Sequence, residues 1–345
     1  MSKEVKVLWL SQEDVIQAGA SDVNLVMNQV TKVDRWLVEG KINEAPLLRV
    51  TWDHKYGGAR KIGIHGCIID SEEMQIAGVK SIPANPANPK KYGMPRSNGL
   101  VILYDFDTGL PVCVMDDKIV SDLRTGVGSA LGAKYGANPN SEIMGIVGTG
   151  PIMNACMSAN SLVMNNIKTC RVYDIVPENA ERFCRRWESL GYKFEVVNSC
   201  AEAIADADIA YVVTSGVGVG DEYIPSEWVK KGSFHAATSI WDYKHETIVK
   251  AFNRWGIDYE DRIHDVGFPY HDMIEKGIFS EDQISCIGRV MKGEDKLRTS
   301  PDDTVYYATI GICATDIATD YMIYHRAKEM GLGQEVYLWH EPAYF

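Results

Sequence analysis

Four cationic side chains in the first 124 residues of the chain stand in settings that suit recognition of carboxylates. Arg49 lies in "LLRVTW", Lys80 in "IAGVKSI", Arg96 in a turn and Arg124 in "LRTG". An Arg fork matches a carboxylate in bidentate fashion, whereas Lys acts as a compact point charge. The formal net charge is -12, so an anionic ligand must be held by such locally placed cations and not by the overall field. Solvated surface positions are the plain alternative. Lys80, however, interrupts an apolar run, where a charge without a partner is costly. Two further residues could move protons. His65, in "GIHGC", titrates near working pH or is simply packed in its strand. Asp242, in "TSIWDY", could activate water or shuttle protons, or could cap a helix beginning near "YKHETIVKAF". Asp316, on a late helix, would touch a cofactor or pocket or else face solvent. The expected catalytic set is Lys80, Asp242 and His65.

A second constellation is the turn in "MGIVGTGPIMNACM", residues 144–157. Gly148, Thr149 and Gly150 follow a strand directly, and Pro151 and Ile152 open a helix. The first glycine permits the tight turn, and the second lets backbone approach a pyrophosphate at the helix N-terminus. Met153 replaces the third glycine of the fingerprint. Asp174 ends the next strand, "CRVYD", where a carboxylate can bond ribose hydroxyls and repel a 2′-phosphate, which predicts NAD over NADP. Thr214 and Ser215, at the end of a later strand, are expected cofactor neighbours because ligands lie beyond strand carboxyl ends in such sheets.

The elements that must position these residues fall into two textures. The chain of 345 residues is 46% hydrophobic and 24% charged, which is ordinary globular composition with material for one large or two medium domains. "VKVLWL" reads as a strand, Ser11 as the N-cap of a helix running to about residue 40, and residues 47–111 as a meander-like sheet. "YDFDTGLPVCVMD" reads as a hairpin with residues 107–109 at its tip. A small-residue helix follows over about 119–135. From "EIMGIVG" onward strands and helices alternate, which implies a parallel sheet covered on both faces. The last long helix, about 309–331, returns to the first lobe. The expected fold is therefore α/β: a Rossmann-type parallel-sheet NAD-binding domain over 126–317 and a mixed α+β substrate and dimerisation domain over 1–125, completed by 318–345.

The order of these parts resembles the ornithine cyclodeaminase/mu-crystallin family. "AGVKSIPANPANPKKYGMPRSNGLVILYDFDTGLPVCVMD", then "LRTGVGSALGA", then the glycine turn carry the likeness, which spans nearly the whole chain. The resemblance implies a homodimer joined through the first lobe, with the nicotinamide facing a pocket made by that lobe. It assigns carboxylate binding to Lys80 and Arg124, and Thr125 and Ser239 complete the expected cofactor set. Cyclodeaminases carry a catalytic aspartate in a G-x-D-x-x-G-K-type segment, but here the corresponding place reads "TSIWD", with the acid two residues later, as in siderophore-type members. The acidic group that recognises a terminal substrate amine is also absent from "IHGCIID". Both departures argue against ornithine. The siderophore-type reaction oxidises the secondary amine of an amino-acid conjugate with NAD and hydrolyses the imine, giving 2-oxoglutarate and 2,3-diaminopropionate.

An ornithine or lysine cyclodeaminase, an NAD(P)H-dependent imine or ketimine reductase, and a non-catalytic ligand carrier are the rival readings. Eight scattered cysteines without a CxxC pair read as reduced, mostly buried thiols, and no metal is expected. The acidic charge speaks against nucleic acid or an anionic membrane as partner. An early acidic pair and the lack of a long apolar run make a soluble, cytoplasmic protein the expectation.

Overall fold

The structure, a computed structural model, describes residues 4–53, 59–215, 217–218, 220–265 and 268–343. The chain divides into two compact units, Met1–Arg124 with Ile312–Phe345, and Thr125–Gly311. The boundary expected at residue 318 falls inside the helix Cys313–Met330, which starts where extended Ile312 ends and belongs wholly to the first unit.

The first unit is built on one mixed sheet of Val5–Leu10 (β1), Ile42–Glu44 (β2), Leu48–Asp53 (β3), Ala59–Asp70 (β4), Gln75–Ala84 (β5), Leu100–Tyr104 (β6), Pro111–Asp116 (β7) and the C-terminal strand Gln334–Trp339. From the C-terminal strand the order is β1, β7, β6, β5, β4, β2, with β3 also paired to β4. Only β1 and β7 run parallel. Side chains alternate between faces along each strand, so Ile76, Gly78 and Lys80 of β5 share one buried face. The helix Cys313–Met330 packs on this face. Its approach depends on Gly78, because a Cβ there would lie 2.5 Å from Ile317 Cδ1.

The helix expected from Ser11 to about residue 40 is broken. Ser11 and Asp14 form a reciprocal capping box for Gln12–Val15, but a π turn follows over Ile16–Ala20, with Gly19 at φ 109°. Asp22 then starts a new helix, Val23–Val38, by accepting from the Asn24 and Leu25 N–H groups at 2.9 and 3.3 Å. A second strong cap signal thus overrode the continuous apolar pattern.

The second unit is an all-parallel sheet of Ile143–Val147 (β8), Thr169–Tyr173 (β9), Lys193–Val196 (β10), Ile209–Val212 (β11), Phe234–Ala237 (β12), Arg254–Ile257 (β13), Ile284–Cys286 (β14) and Val305–Ala308 (β15). The order is β10-β9-β8-β11-β12-β15-β13-β14. Chain order reverses between β8 and β11, which is the topological switch point where ligands bind in such sheets. Strands β11, β12 and β15 are buried at every residue, as a sheet covered on both faces requires.

All eight cysteines are free, and burial pushes the thiols of Cys156, Cys170 and Cys200 up to about 12, so they are inert packing groups. Among the described residues no helix is long and apolar enough to cross a membrane.

Candidate active site

The second unit carries its site at the ends of β8, β11 and β12. Gly148 leaves β8 at φ 84°, and its N–H donates to the Tyr173 carbonyl at 2.9 Å. A Cβ at Gly148 would lie 2.4 Å from the Val213 carbonyl oxygen and 3.5 Å from Thr214 Cα. The glycine is therefore required twice, by its left-handed conformation and by the backbone of the strand end beside it. Gly150 caps the helix Pro151–Val163 with no side-chain hydrogen bond, and a Cβ there would meet nothing within 4 Å. The first intrahelical bond is made by Asn154 N–H to the Gly150 carbonyl at 3.1 Å. The amides of Ile152 and Met153 thus precede the ladder, at the positive end of the helix dipole, and open space lies in front of them. Room and donors together fit a pyrophosphate. Met153, in place of the third glycine, is fully buried in the core of this unit.

Asp174 faces the turn. One oxygen accepts from Thr149 N–H at 2.9 Å and Thr149 Oγ1 at 2.7 Å, and the other from Val176 N–H at 3.0 Å. The carboxylate is thus locked to the glycine turn by protein donors, and a ribose would take over the Thr149 hydroxyl's place. Next to the turn, Thr214 N–H donates to Ser239 Oγ at 3.1 Å, and Thr214 Oγ1 to Asp242 Oδ1 at 2.5 Å. Ser239 Oγ donates to Asp242 Oδ2 as well, and Tyr223 OH to Asp242 Oδ1 at 3.1 Å. Asp242 is buried, and the following helix, His245–Lys250, is capped at Lys244, so Asp242 is not its N-cap. Its geometry suits holding Thr214 and Ser239 in place. Ile240 between them has φ 54°, an uncommon and strained conformation for a β-branched residue, closed by a Trp241 N–H to Ser239 carbonyl bond of 2.7 Å. Ser215 is exposed, and the Thr125 carbonyl accepts from Ser129 Oγ at 3.2 Å.

The first unit brings Lys80 and Arg124 together around carboxylates that the cation pattern alone did not reveal. Lys80 is 1% exposed. Its Nζ donates to Ser121 Oγ at 2.8 Å and to Asp316, and it forms an ion pair with Asp117 Oδ2 at 2.7 Å. Arg124 Nε donates to the same Asp316 oxygen at 2.9 Å. Asp320, one helical turn beyond Asp316, is fully buried beside them. Lys80 is therefore the centre of an internal ion-pair network, and Asp316 is not on a solvated face. The placements follow from local structure: Asp117 directly follows β7 with its N–H on the Gly99 carbonyl at 3.1 Å, and Ser121 and Arg124 sit three residues apart on the helix Lys118–Gly136.

Two cations and three carboxylates leave one negative charge in excess unless a proton is retained. Burial works to lower the Lys80 pKa, but Asp117 and Asp316 outweigh it and hold the ammonium charged. Burial raises Asp316, yet Arg124 and Lys80 win and hold it ionised below its usual range. Asp117 is pushed up to about 7 by burial, and Asp320 is raised well above the usual range by burial and by the Asp117 and Asp316 charges. The extra proton is thus held by Asp320 and Asp117. A carboxyl whose folded pKa is raised binds more protons folded than unfolded, so its contribution to stability is lost as pH rises from about 4 through the folded value. Asp320→Asn keeps the shape and removes the titration. The stability difference between wild type and this variant, from urea midpoints at pH 5 to 8, should shift steadily against wild type as pH rises. His235, held at about 3 by burial, has the opposite slope but cancels in the difference. A pH-independent difference would place the proton elsewhere.

The remaining candidates lie along the same sheet. His65 pairs directly with Lys80 across β4 and β5, and its Nδ1 is 3.9 Å from Glu44 Oε1, whose other oxygen accepts the Ala314 N–H at 3.0 Å. Arg49 is exposed on β3, opposite Gly63 of β4. Arg96 is exposed, and its carbonyl accepts Asn85 N–H at 2.8 Å just beyond β5.

The second unit, with its glycine turn at the switch point of a parallel sheet and an aspartate at the end of the next strand, is a Rossmann-type domain. The chain belongs to the ornithine cyclodeaminase/mu-crystallin family, whose model matches residues 11–331. It is 26% identical over 343 residues to N-((2S)-2-amino-2-carboxyethyl)-L-glutamate dehydrogenase of Staphylococcus aureus (strain NCTC 8325 / PS 47), covering 97% of this chain and 99% of that one. It is 27% identical over 337 residues to an alanine dehydrogenase of Archaeoglobus fulgidus, covering 96% and 98%. Among solved structures, the Thermococcus litoralis Delta(1)-pyrroline-2-carboxylate reductase in complex with NADH and L-proline superposes with a TM-score of 0.83 at 25% identity, covering 96% of this chain and 100% of that one.

Proposed function

We propose that the protein is an NAD-dependent oxidoreductase of this family that acts on the C–N bond of an N-substituted amino acid bearing several carboxylates. N-(2-amino-2-carboxyethyl)-L-glutamate, giving 2-oxoglutarate and 2,3-diaminopropionate, is the substrate we favour. The observation that carries the reading is the concentration of Arg49, Lys80, Arg96 and Arg124 in one unit of a chain whose net charge is -12. Relatives whose names specify dehydrogenases and reductases acting on amino acids and imines support the reaction class.

The glycine turn, the Ile152 and Met153 amides and Asp174 would hold the dinucleotide, and Asp174 selects NAD by repelling a 2′-phosphate. When bound, NAD accepts the hydride from the substrate Cα. The chain's own residues must fix the carboxylates and manage protons. Arg124 orients the α-carboxylate, and Lys80, paired with Asp117 and Asp316, fixes the guanidinium's partner Asp316. The secondary ammonium releases one proton, the Cα–H leaves as hydride, and water adds to the resulting iminium. Collapse cleaves the C–N bond, so ketoacid, primary ammonium, NADH and one proton balance conjugate, NAD and water. Run backwards, the same site forms an imine and reduces it, and the names of the reductase relatives favour keeping that direction in view. We further propose a homodimer. The test is NADH formation from the conjugate, followed by product identification.

A further inference from the structure

Asp174 is placed to bind the adenosine ribose, yet its carboxylate already has a full set of protein donors. Oδ2 accepts Thr149 N–H at 2.9 Å and Thr149 Oγ1 at 2.7 Å, and Oδ1 accepts Val176 N–H at 3.0 Å. Asn179 Nδ2 adds a longer bond to Oδ1 at 3.5 Å. An ionised carboxylate offers about four lone-pair sites, so the two ribose hydroxyls find none unless a protein donor withdraws. The backbone N–H groups of Thr149 and Val176 are fixed by the glycine turn and by the chain leaving β9. The Thr149 hydroxyl is the strong donor able to give way, since its O–H rotates to suit its surroundings.

This arrangement treats the two dinucleotides differently. A ribose with free 2′- and 3′-hydroxyls brings donors of its own and replaces the Thr149 hydroxyl bond for bond. A 2′-phosphate brings no donor at that position. Asp174 must then either stay and face a second anion, which is unfavourable, or break its bonds to Thr149 and Val176 and swing away with nothing in exchange. The second course matters because a cation is at hand. Arg182, exposed on the helix Pro177–Trp187, donates to Asn179 Oδ1, and Asn179 is itself bonded to Asp174. A guanidinium is a ready partner for a phosphate, so NADP is not excluded by want of a cation. We infer that Thr149 is the specificity-determining positioning residue of the cofactor site: its hydroxyl holds the Asp174 carboxylate in the place that a 2′-phosphate would need, at little cost to NAD. The assignment rests on the NAD reading of the glycine turn and names the side chain that enforces it.

The test is fluorescence titration with NADH and with NADPH, without substrate, on wild type, Thr149→Val, Thr149→Ala, Thr149→Ser, Asp174→Asn and the Thr149→Val/Asp174→Asn double variant. Thr149→Val and Thr149→Ala both remove the donor, and the first keeps the branched shape. Each should tighten NADPH by ~10-fold, as loss of one charge-assisted bond from the Asp174 lock predicts, and NADH by only about twofold, so selectivity for NADH falls ~5-fold. General damage to a site loosens its ligands and does not tighten one of them, which separates this role from a structural one. Thr149→Ser should keep the wild-type selectivity. In the Asp174→Asn background Thr149→Val should change the ratio by less than about twofold, because the charge it positions is gone. Selectivity that is unchanged in Thr149→Val and Thr149→Ala, that falls equally in Thr149→Ser, or that falls as far in the Asp174→Asn background overturns the inference, while NADH binding by wild type upholds the cofactor reading. Wild type that binds NADPH as tightly as NADH, or binds neither, overturns both.

Discussion

Lys80→Met is expected to lower kcat/KM by at least ~100-fold, about 2.7 kcal/mol of transition-state stabilisation, and to destabilise the fold by ~3–5 kcal/mol, as removal of one partner from a buried ion pair does. Asp117, Asp316 and Asp320 would be left with Arg124 as their one cation in a fully buried setting. The two losses have different origins, and a second substitution separates them. Lys80→Met with Asp117→Asn removes one charge of each sign, so it should recover a large part of the stability. Activity should stay lost, because Asp316 and Arg124 are no longer held. Urea unfolding and steady-state kinetics on the three proteins measure both. Recovery of activity together with stability would make Lys80 a purely structural residue.

The second large effect concerns the glycine turn. Gly148→Ala should weaken NAD binding by ~30-fold or more and also destabilise the second unit. Placing a side chain in the left-handed region costs roughly 1–2 kcal/mol, and overpacking against the Val213 carbonyl oxygen adds about 1–3 kcal/mol. Gly150→Ala is the informative contrast. Gly150 has φ -69° and open space around its Cβ position, so the fold should be unaffected. The methyl would instead occupy the place left for phosphate, and the NAD Kd should rise by ~10-fold with unchanged melting temperature. NADH fluorescence titration and thermal unfolding decide it. Undiminished NAD affinity in Gly150→Ala would move the pyrophosphate away from this helix.

The parallel sheet was legible because its strands are apolar runs set between helices of regular spacing, and the glycine turn because it stands between such a strand and helix. Strands β13, β14 and β15 were not, since "RWGI", "ISC" and "VYYA" are short and lie among loop residues. The strand Gln334–Trp339 pairs with β1 across more than three hundred residues, and its residues are almost all exposed, so neither periodicity nor burial marks it. The cation at Lys80 was visible as an oddity in an apolar run. Its partners were not, because Asp117 meets it through the strand order β5-β6-β7 and Asp316 through the packing of the helix Cys313–Met330 over Gly78.

The fate of the substrate's Cα hydrogen tests the central claim most directly. N-(2-amino-2-carboxyethyl)-L-glutamate deuterated at the glutamyl Cα, incubated with the protein and NAD, should yield NADH carrying one deuterium at nicotinamide C4. One 2-oxoglutarate and one 2,3-diaminopropionate should form for each reduced cofactor, and ornithine should give neither product nor ammonia. Ammonia release from ornithine or lysine without net NADH, or reduced cofactor free of deuterium, would contradict oxidation at that carbon.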